Sequence, residues 1–140
     1  MVSFELAKYF GITFDAKLRE FSNIQDCFFA FVKNNWYALV TPAIPKEMVF
    51  RAWVLNAFLG DTPTKKQKII AIILSNILFA TIHLPNYIFS NYSLSQILPQ
   101  FLSVFAVGSI FSIMFLKSKN IILPIFIHCL WDTFVFTFFI

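Results

Sequence analysis

The residues of this chain that could do chemistry fall in three short stretches. Glu47 and Arg51 stand four residues apart, as do Phe79 and His83, and as do His128 and Asp132. On a helix, each such pair shares one face. Both histidines belong to this set, and Asp132 is the only charged residue after Lys119. A carboxylate and an imidazole can together take a proton from water. An imidazole N–H can support the oxyanion formed when water attacks a carbonyl. Carboxylate and neutral imidazole are also ligands for a divalent metal. Simpler readings stand beside these. Glu47–Arg51 reads equally as a helix salt bridge, with Glu47 favoured near a helix start by the dipole. His83, just before Leu84-Pro85, reads as an interfacial helix-end residue, and His128–Asp132 as an interhelical hydrogen-bonding pair. Phe79 alone reads as core or lipid-facing. Two histidines on two helices would also permit axial ligation of a b-type haem, although that leaves Glu47, Arg51 and Asp132 without a task.

The setting of these pairs is strongly apolar. Of 140 residues, 59% are hydrophobic, 13% are charged and 20 are Phe, against roughly 45–50% hydrophobic and 25% charged in soluble domains. From Ile69 to Leu116 there is no Asp, Glu, Lys or Arg. A transmembrane helix needs roughly 20 mostly apolar residues, so this stretch has room for two. Disorder is excluded, since it requires low hydrophobicity and high charge. The chain reads as an all-α, polytopic integral membrane protein. Ionisable groups inside such segments are costly, which makes the three pairs functional suspects. The net charge of +4 is not a nucleic-acid footprint, because most cations flank apolar segments as topology markers. Cys27 and Cys129 are far apart and lack CxxC spacing, so neither a disulfide framework nor a zinc knuckle is expected. Met1 to Glu20 lacks the clean apolar core of a secretory signal, and the last four residues carry no cysteine for prenylation.

Four helices are expected to position the pairs, over about residues 46–59, 67–83, 94–116 and 121–140. Residues 1–36 are read as an amino-terminal extramembrane or interfacial segment, and 37–140 as the transmembrane helical domain. Within 21–41, Lys33-Asn34-Asn35 interrupts an apolar run, so a membrane-associated helix rather than a full crossing is expected there. Pro42 and Pro45 punctuate the chain ahead of the first helix, whose opening turn tolerates proline. Gly60 to Thr64 is a turn, and Pro85 stops or kinks the second helix. At about 1.5 Å per residue, Glu47 lies roughly 20 Å from Gly60 and His83 roughly 24 Å from Gln67. Those two are expected to meet. His128 reaches only about 14 Å beyond Lys119 and needs tilt to join them. The Lys65–Lys68 and Lys117–Lys119 turns are expected on the cytoplasmic side of the cell membrane, with the uncharged connection between helices two and three and the carboxyl terminus outside.

Taken in order, Pro45-Lys46-Glu47-Met48-Val49-Phe50-Arg51, Phe79-Ala80-Thr81-Ile82-His83 and His128-Cys129-Leu130-Trp131-Asp132 resemble three motifs of one family. They are EExxxR, FxxxH and HxxxN/D of the CAAX prenyl protease and bacteriocin-processing (CPBP, or Abi) family, and the resemblance covers about residues 40–135. It implies an intramembrane endopeptidase that cleaves a peptide bond near the cytoplasmic membrane, with glutamate and the second-motif histidine activating water. Glu47, His83, His128 and Asp132 are then the expected catalytic residues, with Arg51 orienting Glu47 and Phe79 in support. A divalent metal such as zinc, held by Glu47, His83 and His128, is the cofactor the resemblance allows. The implied partners are a membrane-associated peptide or protein substrate and the lipid bilayer, with no nucleic acid, and the implied setting is bacteriocin processing or self-immunity. One position departs. Lys46 stands where the motif has its first glutamate, the one usually assigned the catalytic role. Either Glu47 takes over that role, or the chain is a catalytically impaired membrane scaffold or immunity protein. The Lys46 charge also opposes a divalent metal.

Overall fold

The computed structural model describes residues 19–138. Its first helix begins at Asn23, whose extended backbone (φ −162°, ψ 173°) lets the side chain accept the Asp26 N–H at 2.9 Å. That cap satisfies one of the donors a helix start leaves without a partner. From there α1 (Ile24–Ala38) runs into a π turn, π1 (Leu39–Ala43), then α2 (Ile44–Glu47), a second π segment, π2 (Met48–Leu55), and α3 (Asn56–Leu59). The junction residues keep right-handed helical dihedrals, so residues 24–59 form one rod. It stops at Gly60, whose φ of 68° is a conformation L side chains rarely adopt.

This rod corrects the expected break at Pro42 and Pro45. A proline removes one N–H and crowds the carbonyl four residues back. The π turn widens the helix at that point, and the Ile44 N–H bonds the Leu39 carbonyl five residues back. Local π adjustment re-satisfies groups freed by proline, which is how membrane helices tolerate it. The expected boundary at residue 36 therefore falls inside α1, and Lys33-Asn34-Asn35 interrupts nothing. Residues 1–18 of the expected amino-terminal segment lie outside the described residues.

The later helices start where their caps dictate. Thr64 and Gln67 bond reciprocally, Gln67 N–H to Thr64 Oγ1 at 3.3 Å and Thr64 N–H to Gln67 Oε1 at 2.8 Å. This capping box opens α4 (Lys65–Thr81). The helix loosens at Ile82-His83 and restarts as α5 (Leu84–Phe89), with Pro85 in its first turn, where no N–H is missed. Of the stop or kink expected at Pro85, the structure has a short interruption at Ile82-His83 after which the helix resumes. A second capping box, Ser93 with Gln96, opens α6 (Leu94–Ser118), which ends at Lys119 with φ 52°. The final helix is α7 (Ile122–Phe138). Among the described residues there is no strand, as expected of an all-α protein.

Polarity runs opposite to that of a water-soluble globule. Trp53, Ile69, Leu102, Ile110 and Phe126 are exposed, whereas Glu47, Arg51, Asn76, Ser112, Thr133 and Thr137 are buried. Lipid accepts an apolar exterior and forces polar groups to pair inside. Lys65–Phe89 and Leu94–Ser118 are each 25 residues long with mean hydropathy 1.8 and 1.9, enough to cross a bilayer. The chain is a membrane protein, and among the described residues two of the four expected crossings reach spanning length. Leu55, Leu59 and Ala71 pack with Ile72, Phe115 and Leu116, so both Lys-bearing turns sit at one end of the bundle.

Candidate active site

Glu47 closes α2 just before π2, and its side chain is fully buried together with that of Arg51. Arg51 Nε lies 3.0 Å from Glu47 Oε2. The two form an ion pair, although the N–H does not point along a hydrogen bond. Arg51 Nη2 donates to the Gly108 carbonyl at 3.1 Å. The guanidinium carbon lies 4.6 Å from the centre of the Phe79 ring and 5.9 Å from that of Phe111, close enough for cation–π attraction. Gly108 permits this approach of α6. A Cβ at that position would lie 2.5 Å from Asn76 Oδ1 and 2.9 Å from Phe79 Cδ1.

From α7, His128 Nδ1 meets Glu47 Oε1 at 2.7 Å, and its Nε2 lies 3.3 Å from Asp132 Oδ2. An imidazole facing a carboxylate at each nitrogen can donate to both only as the imidazolium. In that state two carboxylates balance one guanidinium and one imidazolium. Buried charges need such pairing, because a lone one would meet the full desolvation cost.

The other imidazole is held differently. His83 Nδ1 lies 2.9 Å from the Phe79 carbonyl. A carbonyl only accepts, so Nδ1 carries the proton and Nε2 keeps its lone pair. Lys46 Nζ faces that Nε2 at 3.5 Å. Both residues are partly exposed, unlike Glu47. Phe79 packs edge-on against both imidazoles, its ring centre 5.2 Å from that of His83 and 6.2 Å from that of His128. It is the shared wall of the site.

The structure therefore brings Glu47, Arg51, His128 and Asp132 together and sets His83 against Lys46. Counting residues along straight helices led to the reverse expectation, Glu47 on His83 with His128 falling short. Two π segments alter rise and rotation along the rod, and interhelical packing does the rest. Among the described residues, no three His, Cys, Asp or Glu side chains are arranged to hold a metal ion. The expected trio of Glu47, His83 and His128 does not form such a group. Glu47 Oε1 and His128 are spent on each other and on Asp132, and an ammonium faces the remaining imidazole lone pair. These residues do not fit a zinc centre. They fit a b-type haem no better, because His128 has no nitrogen free for an axial bond.

Two residues that the sequence marks as a polar break, Asn34 and Asn35, position the third pair. Asn34 Nδ2 donates to the Phe136 carbonyl at 3.0 Å and to Thr137 Oγ1 at 3.2 Å. Asn35 Nδ2 donates to Thr133 Oγ1 at 3.1 Å and reaches Cys129 Sγ at 3.5 Å. This ladder seats α1 on the helix that carries His128 and Asp132. A signal for it was available, since Cys129, Thr133 and Thr137 recur every four residues as a polar stripe in an apolar helix.

Neither the curated proteins nor the solved structures contain a match to the chain. A family model does match, that of the type II CAAX prenyl endopeptidase Rce1-like proteins, over residues 28–134. The matched span reaches from α1 into α7 and includes all three motif pairs, Asn34 and Asn35, whereas Phe136 and Thr137 of the ladder lie beyond it. The chain belongs to this Rce1-like family of CAAX-type membrane proteases.

Proposed function

We propose that the chain is an intramembrane endopeptidase that hydrolyses a peptide bond of a membrane-associated peptide or protein, with His83 as its general base. The observation that carries this reading is the His83 ring, whose proton is held at Nδ1 by the Phe79 carbonyl. Its Nε2 is thereby left as an imidazole lone pair not committed to a carboxylate. In the reaction Nε2 takes a proton from water while the water oxygen attacks the carbonyl carbon. The imidazolium then returns that proton to the departing amine nitrogen as the C–N bond breaks. The Lys46 ammonium, beside Nε2, is positioned to support the negative oxygen of the tetrahedral intermediate. Glu47 has no exposed surface and both its oxygens face cations. It anchors Arg51 and His128 rather than activating water, and Asp132 orients His128 from the other side.

The test is cleavage of membrane-anchored peptides by the purified protein in detergent. His83→Ala should lower kcat by roughly 10²–10⁴-fold, the usual worth of a general base, with little change in melting temperature. Undiminished cleavage would reject the assignment. A non-catalytic scaffold or immunity role is the second reading, favoured by Lys46 at the first motif position; a folded natural protein that cleaves nothing while Lys46→Glu gains cleavage would establish it. The setting proposed for either role, on the motif resemblance, is bacteriocin processing or self-immunity. In this proposal the protein is multi-pass in the cell membrane, with both Lys-bearing turns cytoplasmic and the carboxyl terminus outside. A Ser118→Cys probe in a Cys27→Ser background should then react only in opened cells, and labelling in intact cells would invert the orientation.

A further inference from the structure

We infer that the Lys46 ammonium is a tethered cation standing where a divalent metal would have to sit on His83, so that residue 46 keeps this site free of metal. A histidine binds zinc along the lone pair of a ring nitrogen, at about 2.0–2.1 Å. His83 has one such lone pair, on Nε2, because the Phe79 carbonyl holds the proton on Nδ1 at 2.9 Å. Lys46 Nζ lies 3.5 Å out from that same nitrogen. A second cation entering between them would meet both the bulk and the charge of the ammonium.

The neighbouring donors offer little in compensation. Glu47 is occupied by His128 and Arg51, and His128 by Glu47 and Asp132. Recruiting either for a metal would strip a buried cation of its partner. Asp132 keeps one carboxylate oxygen outside these contacts, and its side chain is 16% exposed. One Asp132 oxygen thus lies outside these contacts, and His83 Nε2 becomes available to a metal only if the Lys46 ammonium leaves it. Replacing that ammonium by a carboxylate at the same backbone position removes the repulsion and supplies a third ligand in one step.

The experiment measures zinc occupancy of the purified, detergent-solubilised full chain, with no substrate present. It concerns the residues of the proposed site but does not depend on cleavage, so failure of the protease reading and failure of this inference remain distinguishable. The natural protein should hold no stoichiometric zinc. Lys46→Glu should raise zinc affinity by roughly 10–100-fold, the range over which groups beside a metal site act. Adding His83→Ala to that variant should abolish the gain. Lys46→Gln, which removes the charge without adding a carboxylate, carries the test if Lys46→Glu fails to elute as a folded species, and it should raise affinity by a smaller factor. Stoichiometric zinc in the natural protein that is lost in His83→Ala would overturn the inference. So would a folded variant at residue 46 whose zinc affinity does not rise.

Discussion

Lys46 and Glu47 leave the same helical turn in directions about 100° apart, and each faces a different imidazole. Around Glu47 the site is closed: Arg51, His128 and Asp132 answer one another's charges, and Glu47 and Arg51 have no exposed surface. Around Lys46 it is open, with a long ammonium–imidazole contact at 3.5 Å and partial exposure of both partners. The difference separates two tasks that a motif read as a string runs together. A buried, charge-paired cluster fixes helices in register and keeps both Glu47 oxygens away from solvent. The open pair is loosely held and partly exposed, as the proposed catalytic role needs.

That contrast can be broken by substitution, and the largest effect belongs to the closed half. Glu47→Leu leaves Arg51 buried without its counter-ion and His128 with Asp132 alone, and should cost about 3–5 kcal/mol of stability, measured by denaturant titration in detergent. A loss below about 1 kcal/mol, the worth of a surface pair, would mean the cluster is not the structural anchor described here. Gly108→Ala comes next. Its Cβ would lie 2.5 Å from Asn76 Oδ1 and 2.9 Å from the Phe79 ring, so overpacking should cost about 1–3 kcal/mol. It should also weaken the Arg51 contact to the residue 108 carbonyl; a melting temperature equal to that of the natural protein would show that α6 can yield. The smallest effect is expected one residue before Glu47. Lys46→Leu should shift stability by no more than about 0.5 kcal/mol, as at other partly solvated positions. A large loss there would erase the distinction between the two halves.

Several features of the fold were legible without the structure because they are local. Apolar content over residues 69–116 is enough for two helices that could span a membrane, and spacing of four places Glu47 with Arg51 and His128 with Asp132 on one face of any helix. Both pairs are in contact. The rod through Pro42 and Pro45 was less legible, because proline is a strong local signal and its accommodation depends on a π turn supported by neighbouring helices. Asn34 and Asn35 were misread for a related reason. Beside Lys33 they look like a polar break, and only docking against Thr133 and Thr137 makes them internal.

The sequence by itself determined that this is an all-helical membrane protein with three polar pairs in a defined order. Those properties follow from composition and from a periodicity set within single helices. Which imidazole faces Glu47 and which faces Lys46 was decided by tertiary structure alone. His128 lies 81 positions from Glu47 and His83 lies 37 from Lys46, and helix rotation, tilt and the widened π turns select between partners at such separations. A rotation of one residue step would turn one of the two side chains toward the other's imidazole, and no pattern within a single helix encodes that choice.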